Sequence, residues 1–251
     1  MSDPGQRRAL VIEIVLVLVS TLGLAGVRGL LALLDALLAP ESLPAQSVAI
    51  NAPARRVELL DLAYQLTGVI QLVAWGGLGV YLLWRGGTPL RSLGLDRSAP
   101  RRDAALGVGL AGLIGVPGLG LYLLAHAVGL NLTVLPSALD DTWWRTPVLL
   151  ASAVANALAE ELLVVGYLIT RLRQLGWGAG GSLLASALLR GSYHLYQGFG
   201  GFAGNVVMGL VFGRVWQRTH RLWALVIAHA LIDVVAFVGY ALLRGRVGWL
   251  P

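Results

Sequence analysis

The chain has 251 residues, of which 57% are hydrophobic and 13% charged, about half the charged share of an average soluble domain. The formal net charge is +6 and all 19 basic residues are arginine, but they fall in short loops between apolar runs, the pattern of membrane topology rather than of a nucleic-acid surface. Because there is no cysteine, disulfides, thiolate metal sites and cysteine nucleophiles are excluded.

Crossing a bilayer takes about 20 apolar residues, and seven runs qualify, so an all-α, polytopic membrane bundle is expected. The first covers residues 9–26. It has no convincing small-residue cleavage site and is expected to remain as an anchor. The stretch GLLALLDALLAP after it either continues the helix or lies along the interface, and residues 40–56 read as a polar loop. The second span is 57–84, followed by the basic loop RSLGLDRSAPRRD with Pro100 as a breaker. The third, 104–130, holds Pro117 among glycines, which predicts a kink. A loop with DDTWWRTP leads to the fourth, 147–169. The last three are 179–195, 199–215 and 222–243. Trp143 and Trp144 are expected in an interfacial aromatic belt. Gly200/Gly204 and Gly209/Gly213 have the spacing that lets helix backbones approach closely.

With the N-terminus cytoplasmic, the inner loops and ends carry twelve arginines and the outer ones five, which favours that orientation. No internal repeat is evident, so a transporter built on inverted repeats is not favoured. The chain divides into N-terminal membrane helices over 1–146 and a second unit over 147–244.

Ionisable groups inside spans cost about 2.5–3.5 kcal/mol each on insertion scales and usually face the protein interior. They concentrate in the last four spans, where a polar cavity is expected. The fourth contains Glu160 and Glu161, the fifth Arg190 and His194, the seventh His229 and Asp233. His229 and Asp233 are four residues apart, on one helix face, as are Arg190 and His194. Ser152, Asn156 and Glu160 form a stripe of the same spacing. Glu161 is turned about 100° from Glu160, so the two acids have different parts. One faces the cavity and the other a neighbouring helix. A carboxylate and two histidines suit hydrolysis, with the acid taking a proton from water and imidazole positioning that water or stabilising an oxyanion. A proton or ion pathway, or an ion-paired cluster that only fixes helix packing, uses the same residue types. A zinc ion at Glu160, His194 and His229 is the metal alternative, although no HExxH is present.

The ordered set EELLVVG (160–166), RGSYH (ending at His194) and HALID (His229 to Asp233) resembles the CPBP family of intramembrane proteases. That family includes the type II CAAX prenyl endopeptidases and bacteriocin-processing or self-immunity proteins. The likeness covers roughly 147–240. It implies an intramembrane endopeptidase that cuts a membrane-associated protein or peptide by water attack, in a bacterial plasma membrane, with no nucleic-acid partner. Glu160 and His194 would then form the general-base unit, His229 and Asp233 the opposite side of the site, Glu161 would complete the catalytic set, and Asn156 and Arg190 would support them. A cofactor is not expected. Members without proteolytic activity make a membrane immunity or scaffold protein the alternative. The chain departs from the family pattern twice. The first-motif arginine is Val165, and the second-motif phenylalanine is Arg190. This exchange predicts that Arg190 pairs with Glu161 across the helix interface. The other possibility is that Arg190 faces the cavity and binds an anionic group.

Overall fold

A chain in lipid must satisfy its backbone polar groups internally, which drives long apolar runs into helices. The computed structural model describes residues 4–244 and 246, with eight helices among them. Helices α1 (Pro4–Ser20) and α2 (Leu22–Leu38) meet at Thr21 with a 51° bend. Helix α3 (Glu58–Arg85) and helix α4 (Pro100–Ala127) follow. Pro100 opens α4 rather than breaking the chain, because a proline at the first helical turn forfeits no hydrogen bond. The helix is continuous through Pro117.

Helix α5 (Arg145–Gln174) is the most enclosed, with 67% of its apolar window buried. It packs against α3, and against α6 (Ala179–Ser192), α7 (Phe199–Thr219) and α8 (Leu222–Leu243). Among the described residues, five helices are long and apolar enough to cross a membrane, and the bent α1–α2 pair makes a sixth if it counts as one span. The difference from the seven expected spans lies in α6. The 14 residues of α6 cover about 21 Å, short of roughly 30 Å of hydrocarbon.

Two stretches expected as loops pair instead as a parallel two-stranded sheet, β1 (Ser47–Asn51) with β2 (Thr133–Ser137). The sheet is fastened from both sides. Asn51 Nδ2 donates to Pro136 O at 2.9 Å, and Tyr122 of α4 accepts the Val134 amide on its hydroxyl at 3.0 Å. Thr133 donates its hydroxyl to Pro44 O and so accepts from His126 Nε2, at 2.9 Å in each case. His126 therefore has a structural partner.

The opposite end gathers the arginines. Arg171 at the end of α5 donates to Glu13 of α1 at 2.8 Å and to Leu82 O of α3 at 2.7 Å. Arg221, in the α7–α8 turn, binds Asp103 of α4 and Asp96 of the preceding loop. Trp144 is 3% exposed, packed with Leu149 and Phe237, so only Trp143, 75% exposed, fits an interfacial belt.

Candidate active site

Glu160 is the sixteenth residue of the thirty-residue helix α5, so the acid pair lies at its midpoint. The helix changes character there. From Glu161 to Ile169 it is a π-helix, a form that recurs at functional sites. Ser186 of α6 donates its hydroxyl to Val164 O within this stretch, at 2.7 Å, which fastens α6 to it.

Helix α6 ends soon after Arg190, and a tight turn follows that carries Tyr193 and His194. Three neighbours hold the turn. Gly29 of α2 lies so close that a Cβ on it would come within 2.7 Å of Ser192 O. Asn131 Oδ1 accepts the Gly200 and Gly201 amides at 2.9 and 3.2 Å, just beyond the turn. Leu132 N donates to Gln197 O at 3.0 Å. On the far side, Gly209 lets α7 reach α6, since a Cβ there would lie 2.9 Å from Ala187 Cα. That is the close approach the glycine spacing predicts.

The structure brings the polar residues of the last four expected spans together. Arg190 is fully buried, and its Nη2 donates to Glu161 Oε1 at 2.6 Å, the cross-helix pair expected from the sequence. Its Nη1 also approaches Glu160 Oε2 at 3.3 Å. One guanidinium thus serves both acids. Arg190 Nε and Glu161 Oε2 are left without hydrogen bonds, so the pair is joined by one short contact and not by a two-pronged fork. The same Glu161 Oε1 accepts from His229 Nδ1 at 2.7 Å. Asp233 Oδ2 lies 3.6 Å from His229 Nε2 and accepts from Asn156 Nδ2 at 2.9 Å.

Glu160 has a partner that sequence reasoning missed. The Tyr193 hydroxyl donates to Glu160 Oε2 at 2.7 Å. Tyr193 and Arg190 both occupy Oε2, which leaves Oε1 as the oxygen open to another partner. His194 Nδ1 is 3.0 Å from Arg190 O. A carbonyl only accepts, so Nδ1 carries the proton, and in the neutral ring Nε2 keeps its lone pair. The buried members are Glu160, Glu161, Arg190 and His229, whereas Asn156, His194 and Asp233 are partly exposed. The cluster is therefore closed on the Arg190 side and accessible past His194 and Asp233.

The zinc alternative finds no support in this geometry. Among the described residues, no three His, Asp or Glu side chains form a group that could hold a metal ion. His229 Nδ1 is already committed to Glu161.

A family model described as type II CAAX prenyl endopeptidase Rce1-like matches residues 142–235. The match spans 94 of the 251 residues, and over that stretch the chain is similar to the CPBP intramembrane proteases. No curated protein and no solved structure matches the chain. The CPBP segment runs from just before α5 to Val235 and includes every residue of the polar cluster. The chain is an integral membrane protein whose matched segment is similar to CAAX-type intramembrane proteases. Helices α2 and α4 lie outside the segment yet pack directly on it.

Proposed function

We propose that the cluster hydrolyses a peptide bond of a membrane-associated protein or peptide by direct attack of water. Glu160 accepts a proton from the water on Oε1, with His194 Nε2 as a second acceptor that orients it. The water oxygen adds to the scissile carbonyl, and His229 Nε2, beside Asp233 and Asn156, faces the developing oxyanion. Glu161 and Arg190 touch no reacting atom in this scheme. They hold His229 and Glu160 in place. As the tetrahedral intermediate collapses, the C–N bond breaks and Glu160 returns its proton to the leaving amine. The observation that carries the reading is the split use of the acids. Glu161 Oε1 is taken by Arg190 and His229, and Glu160 keeps one oxygen open beside a histidine with a fixed tautomer.

We infer a cytoplasmic N-terminus from the arginine bias, and propose a bacterial plasma membrane as the location and residues 147–244 as the catalytic unit. The rival reading is a non-proteolytic immunity or scaffold protein, and the pairing of both acids by Arg190 speaks for it. Glu160→Gln separates the two, because it removes the base while keeping size and hydrogen bonding. Protein termini of membranes and medium are compared between wild type and variant. The protease reading expects cleaved termini that vanish in Glu160→Gln at unchanged protein level. Identical termini in both would reject it.

A further inference from the structure

Arg214 and Arg218 are one turn apart on α7 and both exposed. They border a groove of about 500 Å³ between α6 and α7 whose other lining is aliphatic: Leu183, Leu210, Val211 and Val215. Val207, 52% exposed, continues the aliphatic track one turn deeper along α7. At the shallow end, Gln217 Nε2 donates to Ala179 O at 2.9 Å and ties the end of α7 to the start of α6. Arg214 reaches only the Gln217 amide oxygen, at 3.5 Å. Arg218 has no hydrogen bond or ion pair among the described residues. Like charges one helical turn apart repel, and no acidic partner among the described residues offsets this pair. The groove lies near the end of the bundle that gathers the arginines, on an outer face of α7, a helix long and apolar enough to cross a membrane.

We propose that this groove binds one anionic phospholipid of the surrounding bilayer. Its phosphate lies between Arg214 and Arg218, and an acyl chain follows Leu183, Leu210, Val211 and Val207. Anionic headgroups are what paired cations at a membrane surface attract, and the aliphatic floor distinguishes a lipid from a free anion. The two framing helices also hold Arg190. It projects from α6, with Met208 S 3.9 Å from its Nη1 and the Phe212 ring 5.9 Å from its guanidinium carbon, both on α7. A lipid bridging α6 and α7 therefore stabilises the packing around the buried charges.

The test reads lipid retention and thermal stability, so it does not depend on proteolysis. Wild type and the Arg214→Gln/Arg218→Gln double variant are placed in nanodiscs of phosphatidylcholine, alone or with phosphatidylglycerol. Bound lipid is counted by native mass spectrometry and unfolding is followed by tryptophan fluorescence. Wild type should retain phosphatidylglycerol over phosphatidylcholine and melt higher when it is present. Two phosphate contacts at about 1 kcal/mol each correspond to roughly thirtyfold weaker retention in the double variant. That variant should match wild type in phosphatidylcholine alone. Equal retention of the two lipids, or undiminished phosphatidylglycerol retention by the variant, overturns the proposal. So does an equal rise in melting temperature from glycerol phosphate in solution, which would mark a site for free anions.

Discussion

Replacing Arg190 tests the charge arrangement most directly. Its side chain is fully buried and contacts Glu161 at 2.6 Å and Glu160 at 3.3 Å. Removing one partner of a buried ion pair costs about 3–5 kcal/mol, because the remaining charge is left without compensation. Here His229 still donates to Glu161 and Tyr193 to Glu160, so Arg190→Phe should fall near the lower end, about 3 kcal/mol. At roughly 2–4 °C per kcal/mol for a chain of this size, the melting temperature drops by about 6–12 °C. Val165 is one turn from Glu161 on α5 and fully buried. Alone, Val165→Arg overpacks the core and adds a second buried cation. Combined with Arg190→Phe, its guanidinium enters the volume that Arg190 leaves and should restore at least half of the lost stability. The eight tryptophans provide the unfolding signal for the cycle in detergent. The reasoning fails if Arg190→Phe is as stable as wild type. It also fails if Val165→Arg destabilises both backgrounds equally, since the cycle would then show no coupling.

Tyr193→Phe removes a hydrogen bond to a carboxylate, worth about 1.5–3 kcal/mol. If that bond orients Glu160 for catalysis, kcat should fall about 10- to 100-fold with KM unchanged, and an unaltered kcat would remove Tyr193 from the site. Proteolysis should survive exhaustive chelation, because Glu160, His194 and His229 form no metal-holding group. Stoichiometric zinc, with activity lost to chelator and regained on zinc addition, would reverse that assignment. Hydrogen bonds from Ser98 and then Arg221 hold the Asp96 carboxyl below its ordinary value. A depressed carboxylate contributes stability that is present at neutral pH and lost as pH falls through its lowered value. Amide protection across residues 94–98, corrected for the intrinsic pH dependence of exchange, should therefore be unchanged between pH 7 and pH 5 and fall only under stronger acid. Loss of protection already at pH 5 would contradict the pairing.

Much of the site is legible in the sequence because charge inside an apolar run is conspicuous. Glu160, Glu161, Arg190, His194, His229 and Asp233 stand out for that reason, and helical spacing puts Asn156 on the face of Glu160. The Arg190–Glu161 pair follows from two departures whose charges offset each other. Tyr193 gives no such signal, since an aromatic residue in GSYHLYQG reads equally as packing. It becomes a partner of Glu160 only because the chain leaves its helix after Ser192 and turns. The π stretch is hidden for a related reason. LLVVGYLI has the composition of any buried helix, and the register change depends on neighbours such as Ser186. The β1–β2 pairing joins segments more than eighty residues apart, beyond any local pattern. Trp144 misleads because an indole at a helix end fits an interfacial belt as well as it fits the pocket of Leu149 and Phe237.

The midpoint position of Glu160 on a thirty-residue helix limits what can remain of a spanning substrate. From Glu160, either end of α5 is about 21–22 Å away along the axis, so a helix lying alongside would be severed near its centre. Each stump would then keep roughly half of the 20 or so apolar residues that hold a helix across the bilayer. Neither could remain as a transmembrane anchor, and both products would leave for opposite aqueous phases unless another span retained them. On the proposed hydrolytic reading, a protease built this way would act as a release device. The fate of its products would be set by where along α5 the acid stands, before any sequence preference comes into play.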